Sequence, residues 1–165
     1  MNHTRSLPVK IWEYIYSEAS LTKKNEPILA GYLDKTILKY DDLSSALSAH
    51  LANKLASASS PASMLKPALN TCFSDPKILA KVARDIQATV ERDSACKLFS
   101  TPFLYFKGFL SLQAYRASHS LWVEGKTSMA LLLQHRMSVA FAVDIHPAAV
   151  IGSGVMIDHA TGLVI

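Results

Sequence analysis

The residues best suited to chemistry lie near the end of the chain. His159 follows Asp158 in a short Asp-His-Ala-Thr-Gly run, and Asp144 stands fifteen residues earlier. A histidine whose ring is oriented by a carboxylate can take a proton from a weak hydroxyl nucleophile, which is the ordinary arrangement for general-base catalysis. Spacing alone does not establish such a pair. An isolated turn histidine is more often solvated than catalytic, Asp144 can simply cap a turn, and Asp158 can be a solvated turn residue. Asp93 is a further carboxylate, following Arg92 after an amphipathic stretch. The remaining histidines lack partners at useful spacing. His50 flanks an apolar helix face, His119 and His135 have no carboxylate or cysteine at metal-ligand spacing, and His146 precedes Pro147, where it is expected to pack or cap. No HExxH, paired CxxC or P-loop sequence is present, so neither a metal site nor a nucleotide-phosphate site has a motif. Cys72 and Cys96 are far apart and are expected to be two free thiols of a reducing cytoplasm.

The elements that must position these residues fall into two regimes. Up to about Val143 the apolar period is helical. Leu7 to Ala19 and Pro27 to Tyr40 read as two helices. Leu43, Leu47, Leu51 and Leu55 form a stripe behind the capping candidates Asp41 and Asp42. Asp75 followed by Pro76 opens another helix with Ile78, Leu79, Val82, Ile86 and Val90 on its buried face. Pro102 to about Glu124 is apolar on most sides and is expected to run as one long central helix ending at Gly125. Met129, Leu133, Met137 and Phe141 mark the last. Ser57 to Pro61 is the clearest loop.

From Asp144 the period becomes six. Ile145, Ile151, Ile157 and Leu163 recur every sixth residue, with Ala149, Val155 and Thr161 at the fifth position of each unit and Gly152, Gly154 and Gly162 available for turns. Neither a helix nor an ordinary strand gives this period. A left-handed parallel β-helix does, with about six residues on each flat side and about eighteen per coil. On that geometry Asp144 and His159 can approach between adjacent levels. The expected fold is therefore mainly α, with an N-terminal multi-helix domain over 1–143 and the first, incomplete coil of a hexapeptide-repeat solenoid over 144–165.

Composition narrows the field. Half of the 165 residues are hydrophobic and 18% are charged, which suits a packed core rather than disorder. The net charge of +4 is scattered and forms no nucleic-acid stripe. The longest apolar stretch, Met129 to Val143, contains Gln134, His135 and Arg136 and falls short of the roughly 20 residues of a membrane span. No signal peptide is visible, so a cytoplasmic protein is expected.

The content of the hexads is more specific than their period. The run from Asp144 to Ile165 resembles the opening of the β-helix of bacterial serine O-acetyltransferases, within the hexapeptide-repeat acyltransferases. Ser44 to Ser48 with Leu51 to Leu55 is similar to that family's early helical motif. Asp85 to Ala88 with Arg92 and Asp93, then Ser100 to Pro102, Lys107 to Phe109 and Gln113 to Arg116, are similar to its later helices. These motifs agree in order and spacing over most of residues 28–165.

The resemblance implies a helical domain followed by a left-handed β-helix, and transfer of acetyl from acetyl-CoA to the L-serine hydroxyl, giving O-acetyl-L-serine for cysteine biosynthesis. It implies His159 as base, Asp144 as the carboxylate that orients it, and Asp93 with Asp158 as ligands of the serine ammonium. Ser94 stands where the family usually has proline, and Lys97 where an aspartate is common, which implies a loop more mobile or differently charged. No permanent cofactor and no metal are implied. Acetyl-CoA is a co-substrate whose main contacts are expected in coils beyond Ile165, so no cofactor-binding residue is expected here, and the 165-residue chain is expected to be truncated and inactive alone. Implied partners are L-cysteine as feedback inhibitor, further copies of the chain in a hexamer built as a dimer of trimers, and cysteine synthase, whose docking tail is not expected among these residues. Two alternatives stay open: a hexapeptide-repeat acyltransferase with another acceptor, and a non-catalytic helical oligomerisation module.

Overall fold

The computed structural model describes residues 5–165, and these are mainly helical. Helix α1 spans Leu7–Asn25. It opens with a proline in its first turn, closes with Lys23 and Lys24, and buries Ile11, Trp12, Ile15 and Ala19. The expected helix from Pro27 to Tyr40 is a composite: a 3-10 turn at Pro27–Leu29, a short α2 at Ala30–Leu33 and a π segment at Asp34–Leu38. Helix α3, Leu43–Leu55, starts where Asp42 accepts a hydrogen bond from the Ser45 amide at 2.8 Å, and all four leucines of its stripe are buried. Arg136 closes its far end by donating to the Leu55 and Ala56 carbonyls.

Helix α4, Ala62–Phe73, is one that the periodicity did not announce. Pro67 lies inside it, and its buried positions are only Leu65, Leu69, Cys72 and Phe73, a short stripe interrupted by a residue that reads as a breaker. Helix α5, Pro76–Arg92, begins as the sequence predicts, with the Asp75 carboxylate accepting from the Lys77 amide at 2.8 Å.

The single long helix expected from Pro102 to Glu124 is two. Helix α6, Ser100–Tyr105, and helix α7, Lys107–Val123, are separated by Phe106, whose φ of −84° and ψ of 106° are extended. The start of α6 is held from outside: the Glu18 carboxylate on α1 accepts from the Phe99 and Ser100 amides at 3.1 and 2.7 Å. The expectation that this region is central holds for α7, which is buried on nearly every side from Gly108 to Ser118. Helix α8, Thr127–Phe141, follows a turn at Gly125 and ends on Ala142 in the left-handed conformation.

After α8, strand β1 (Val143–Asp144) pairs in parallel with β2 (Leu163–Val164), Val143 lying opposite Leu163. An 18-residue repeat would set Leu163 against Ile145, so the chain takes two more residues to come round. The turn from Asp158 to Gly162 lies within this stretch, and in it His159 and Ala160 both adopt left-handed φ, 49° and 60°. Two consecutive non-glycine residues in that region are strained, a state that persists only when neighbouring contacts impose it. Ile145 is buried, and Ile151, Ile157 and Leu163 are partly buried against the helical core.

Candidate active site

The segment after α8 is sewn to the helical core by α5 and α7. The Asp85 carboxylate is fully buried and pairs with Arg116, itself 4% exposed, with Nη2 to Oδ2 at 2.7 Å. The same oxygen accepts from Arg116 Nε at 2.9 Å and Gln113 Nε2 at 3.1 Å, while Oδ1 accepts from the Val155 amide at 3.0 Å. Arg116 also donates to the Gly152 carbonyl at 2.7 Å. Next to it in α7, the Tyr115 hydroxyl donates to the Ala149 carbonyl and accepts from the Ile151 amide, and one turn further on His119 Nδ1 donates to the Pro147 carbonyl at 2.7 Å. Side chains at 115, 116 and 119 share one face of a helix, so α7 presents a polar edge to the backbone of the first two hexads.

Closer to the end of the chain the approach is tighter. A Cβ placed on Gly108 would stand 1.9 Å from the Ile157 carbonyl oxygen, so only glycine lets the first turn of α7 come this near. Beside it, Lys107 Nζ donates to Thr161 Oγ1. These contacts hold the strained turn that carries Asp158 and His159.

A cavity of about 270 Å³ opens at this seam. Asp93, Asp158 and His159 all line it, together with Thr89, Met156, Ile157 and the stretch Tyr105 to Phe109. Asp93 is the residue at which α5 ends. Its Oδ1 accepts from the Ala95 amide at 2.8 Å and its carbonyl from the Cys96 amide at 3.0 Å, so the loop closes on itself without a proline, with Ser94 and Lys97 exposed. Tyr105 stacks on Tyr32, ring centres 6.5 Å apart. Two carboxylates and an imidazole in one small cleft can bind an ammonium group and accept a proton from a neighbouring hydroxyl.

Three of the four residues singled out in the sequence thus meet; Asp144 does not join them. Its Oδ1 accepts from Gln134 Nε2 on α8 at 2.6 Å, and it does not line the cleft. The His159 ring is 95% exposed, and among the described residues the only carboxylate in ion-pair range is Asp158, Nε2 to Oδ1 3.8 Å. The two strands pair with an offset of 20 residues, where the six-residue period predicts 18.

Sequence reasoning missed Asp85, Arg116 and Lys107 as individuals. A signal for Asp85 existed: it sits between Val82 and Ile86 on the apolar face of α5, where an unpaired carboxylate would be too costly to bury. Lys107 and Tyr105 gave none, because their approach depends on the break at Phe106.

His50, His119 and His146 take structural places. His50 is 5% exposed and stacks on Phe103, and burial, reinforced by the Lys54 cation, pushes it down to about 4. His146 accepts from the Ala148 amide and meets Trp122 edge-on. Cys72 and Cys96 are buried and free, and burial pushes the Cys72 thiol up to about 12. Among the described residues no three His, Cys, Asp or Glu side chains cluster as metal ligands, and no helix is long and apolar enough to cross a membrane.

A mainly helical protein with a carboxylate-and-imidazole cleft where its helices meet a six-residue repeat is the class that fold and site define. Residues 11–114 match the family model described as serine acetyltransferase, N-terminal. A serine acetyltransferase of Haemophilus influenzae is 49% identical over 160 residues, covering 96% of this chain and 60% of that protein. A solved serine acetyltransferase in complex with CoA superposes with a TM-score of 0.92 at 49% identity, covering 94% of this chain and 66% of that one. The Neisseria gonorrhoeae serine acetyltransferase in complex with serine gives 0.90 at 44% identity, covering 93% and 64%. The chain belongs to the serine acetyltransferase family. It spans about 60% of the length of the curated relatives it matches.

Proposed function

We propose that the protein to which this chain belongs is a serine O-acetyltransferase, moving acetyl from acetyl-CoA to the L-serine hydroxyl. One observation carries the reading: Asp93, at the end of a helix, and Asp158 with His159, from the six-residue repeat, line one cleft. In this reading 1–143 is the helical domain and 144–165 the first coil of a left-handed parallel β-helix. The two aspartates hold the substrate ammonium. His159 takes the hydroxyl proton as oxygen bonds to the thioester carbon, and returns it to the sulfur as the carbon–sulfur bond breaks, leaving O-acetyl-L-serine and free CoA. Asp144 is the orienting carboxylate, a role that requires it to exchange Gln134 for the imidazole and the His159 ring to turn inward.

The same proposal includes L-cysteine as an inhibitor competing for the ammonium site, a homo-oligomer of two trimers, association with cysteine synthase, and a reducing cytoplasm as the compartment, in keeping with two free buried thiols. Release of CoA thiol from acetyl-CoA and L-serine by the full protein is the test. His159→Ala is expected to lower turnover by roughly 10²–10⁴-fold, and Asp93→Asn and Asp158→Asn to raise KM for L-serine. Near-normal turnover of His159→Ala rejects the assignment of the base.

A further inference from the structure

The two carboxylates of the cleft come from different parts of the chain, so something must fix the gap between them. Helix α5 reaches the six-residue repeat at three points: Asp85 Oδ1 accepts from the Val155 amide at 3.0 Å, Arg84 Nη1 meets Ser153 Oγ at 3.4 Å, and Arg92 Nη1 donates to the Gly154 carbonyl at 2.8 Å. Asp85 is buried two helical turns before Asp93 and anchors the seam as a whole. Arg92 is different. It is exposed, it immediately precedes Asp93, and its acceptor lies four residues before Asp158. Gly154 itself has φ 69°, a conformation that an L side chain resists, so the orientation of that carbonyl is specified by the glycine.

We propose that Arg92 is a positioning residue for acceptor recognition: its hydrogen bond to the Gly154 carbonyl holds Asp158 at working distance from Asp93. The inference rests on the two-aspartate reading of the acceptor site given above. An ammonium donates to both carboxylates only while each oxygen lies near 2.8 Å from the same nitrogen, and drift of about 1 Å forfeits one of the two charge-assisted bonds. Charge alone predicts the opposite effect. A guanidinium beside the site repels a cationic group, so if Arg92 acted only through its charge its removal would lower KM for the acceptor.

In the full protein, Arg92→Ala is expected to raise KM for L-serine about tenfold, the worth of one hydrogen bond to a charged group, with KM for acetyl-CoA and the melting temperature unchanged. Arg92→Gln keeps a donor without the charge and is expected to recover most of the loss. A readout independent of activity uses spin labels at Asp93→Cys and Asp158→Cys in a Cys96→Ala background, where Arg92→Ala should broaden the distance distribution. If the unsubstituted protein transfers no acetyl to L-serine, the proposed function fails and the label distances alone decide the role of Arg92. An unchanged or lowered KM in an active protein, or an unchanged distance distribution, overturns the proposal.

Discussion

Replacing Gly108 by alanine tests the seam at its tightest point. The added carbon would lie 1.9 Å from the Ile157 carbonyl oxygen and 3.0 Å from its carbon, both backbone atoms that no rotamer change can move. Carbon and carbonyl oxygen rest at about 3.3 Å, so the first turn of α7 and the Ile157 backbone must part by about 1.4 Å. Overpacking of this kind costs about 1–3 kcal/mol, and the higher end applies because the Val155 amide and the Gly154 carbonyl tie the same stretch of backbone to α5. The helix preference of alanine returns up to about 1 kcal/mol. The net expectation is a loss of about 2 kcal/mol, or a melting temperature lower by about 4–8 °C for a chain of this size. Gly31→Ala is the control. It lies in α2 with nothing within 4 Å of the added carbon and should be stabilised by about 0.4–1 kcal/mol. Because Asp158 and His159 follow Ile157 directly, the full protein carrying Gly108→Ala should also lose acetyl transfer by about 10²-fold, the usual consequence of a displacement near 1 Å. The measurements are thermal or urea unfolding of both variants, followed by turnover. A Gly108→Ala protein as stable as Gly31→Ala would refute the close approach on which the site geometry depends.

Other expectations concern buried groups. Arg116→Met leaves the Asp85 carboxylate buried without its cation and should cost about 3–5 kcal/mol in urea unfolding; a loss below about 1 kcal/mol would mean the seam does not depend on this pair. His50 titrates near 4 in the folded chain against about 6.5 unfolded, so between those values the unfolded chain binds the extra proton. Its contribution to stability is therefore full above pH 6.5 and is lost as pH falls, by about 2 kcal/mol between pH 7 and pH 5, and His50→Phe should remove that part of the pH dependence. Cys72, buried with its thiol raised to about 12, should resist a thiol reagent at pH 7 until the protein unfolds; labelling at the rate of a free thiol would contradict its burial.

Much of this protein was legible in order along the chain. Helix starts at Asp42 and Asp75 are local events, since a side-chain oxygen three or two residues from an amide needs nothing beyond its own turn, and the leucine stripe of α3 follows from a period of 3.6. The six-residue recurrence after Asp144, and the motif content that resembled the serine acetyltransferases, were likewise readable by inspection. Local rules failed where packing overrode them. Pro67 lies inside α4, where Leu65, Leu69 and Phe73 are buried around it, and the α6–α7 run is broken at Phe106, with the start of α6 held by Glu18, some eighty residues away in sequence.

The candidate site divides along the same line. The sequence by itself determined which residues are candidates for the chemistry, because side-chain type and motif order are properties of the string: His159, Asp158, Asp93 and Asp144 are all named from it. Only the tertiary structure decided which of them meet. Asp144 is bonded to Gln134 on α8, while the buried Asp85–Arg116 pair and the bare Cα of Gly108 let the Asp158–Gly162 segment lie against the helices, where Asp158 and His159 line the cleft with Asp93. Contacts of that kind depend on differences of about an ångström in interhelical distance. Such distances are set by the whole packed core acting at once, and no local pattern in the chain encodes them.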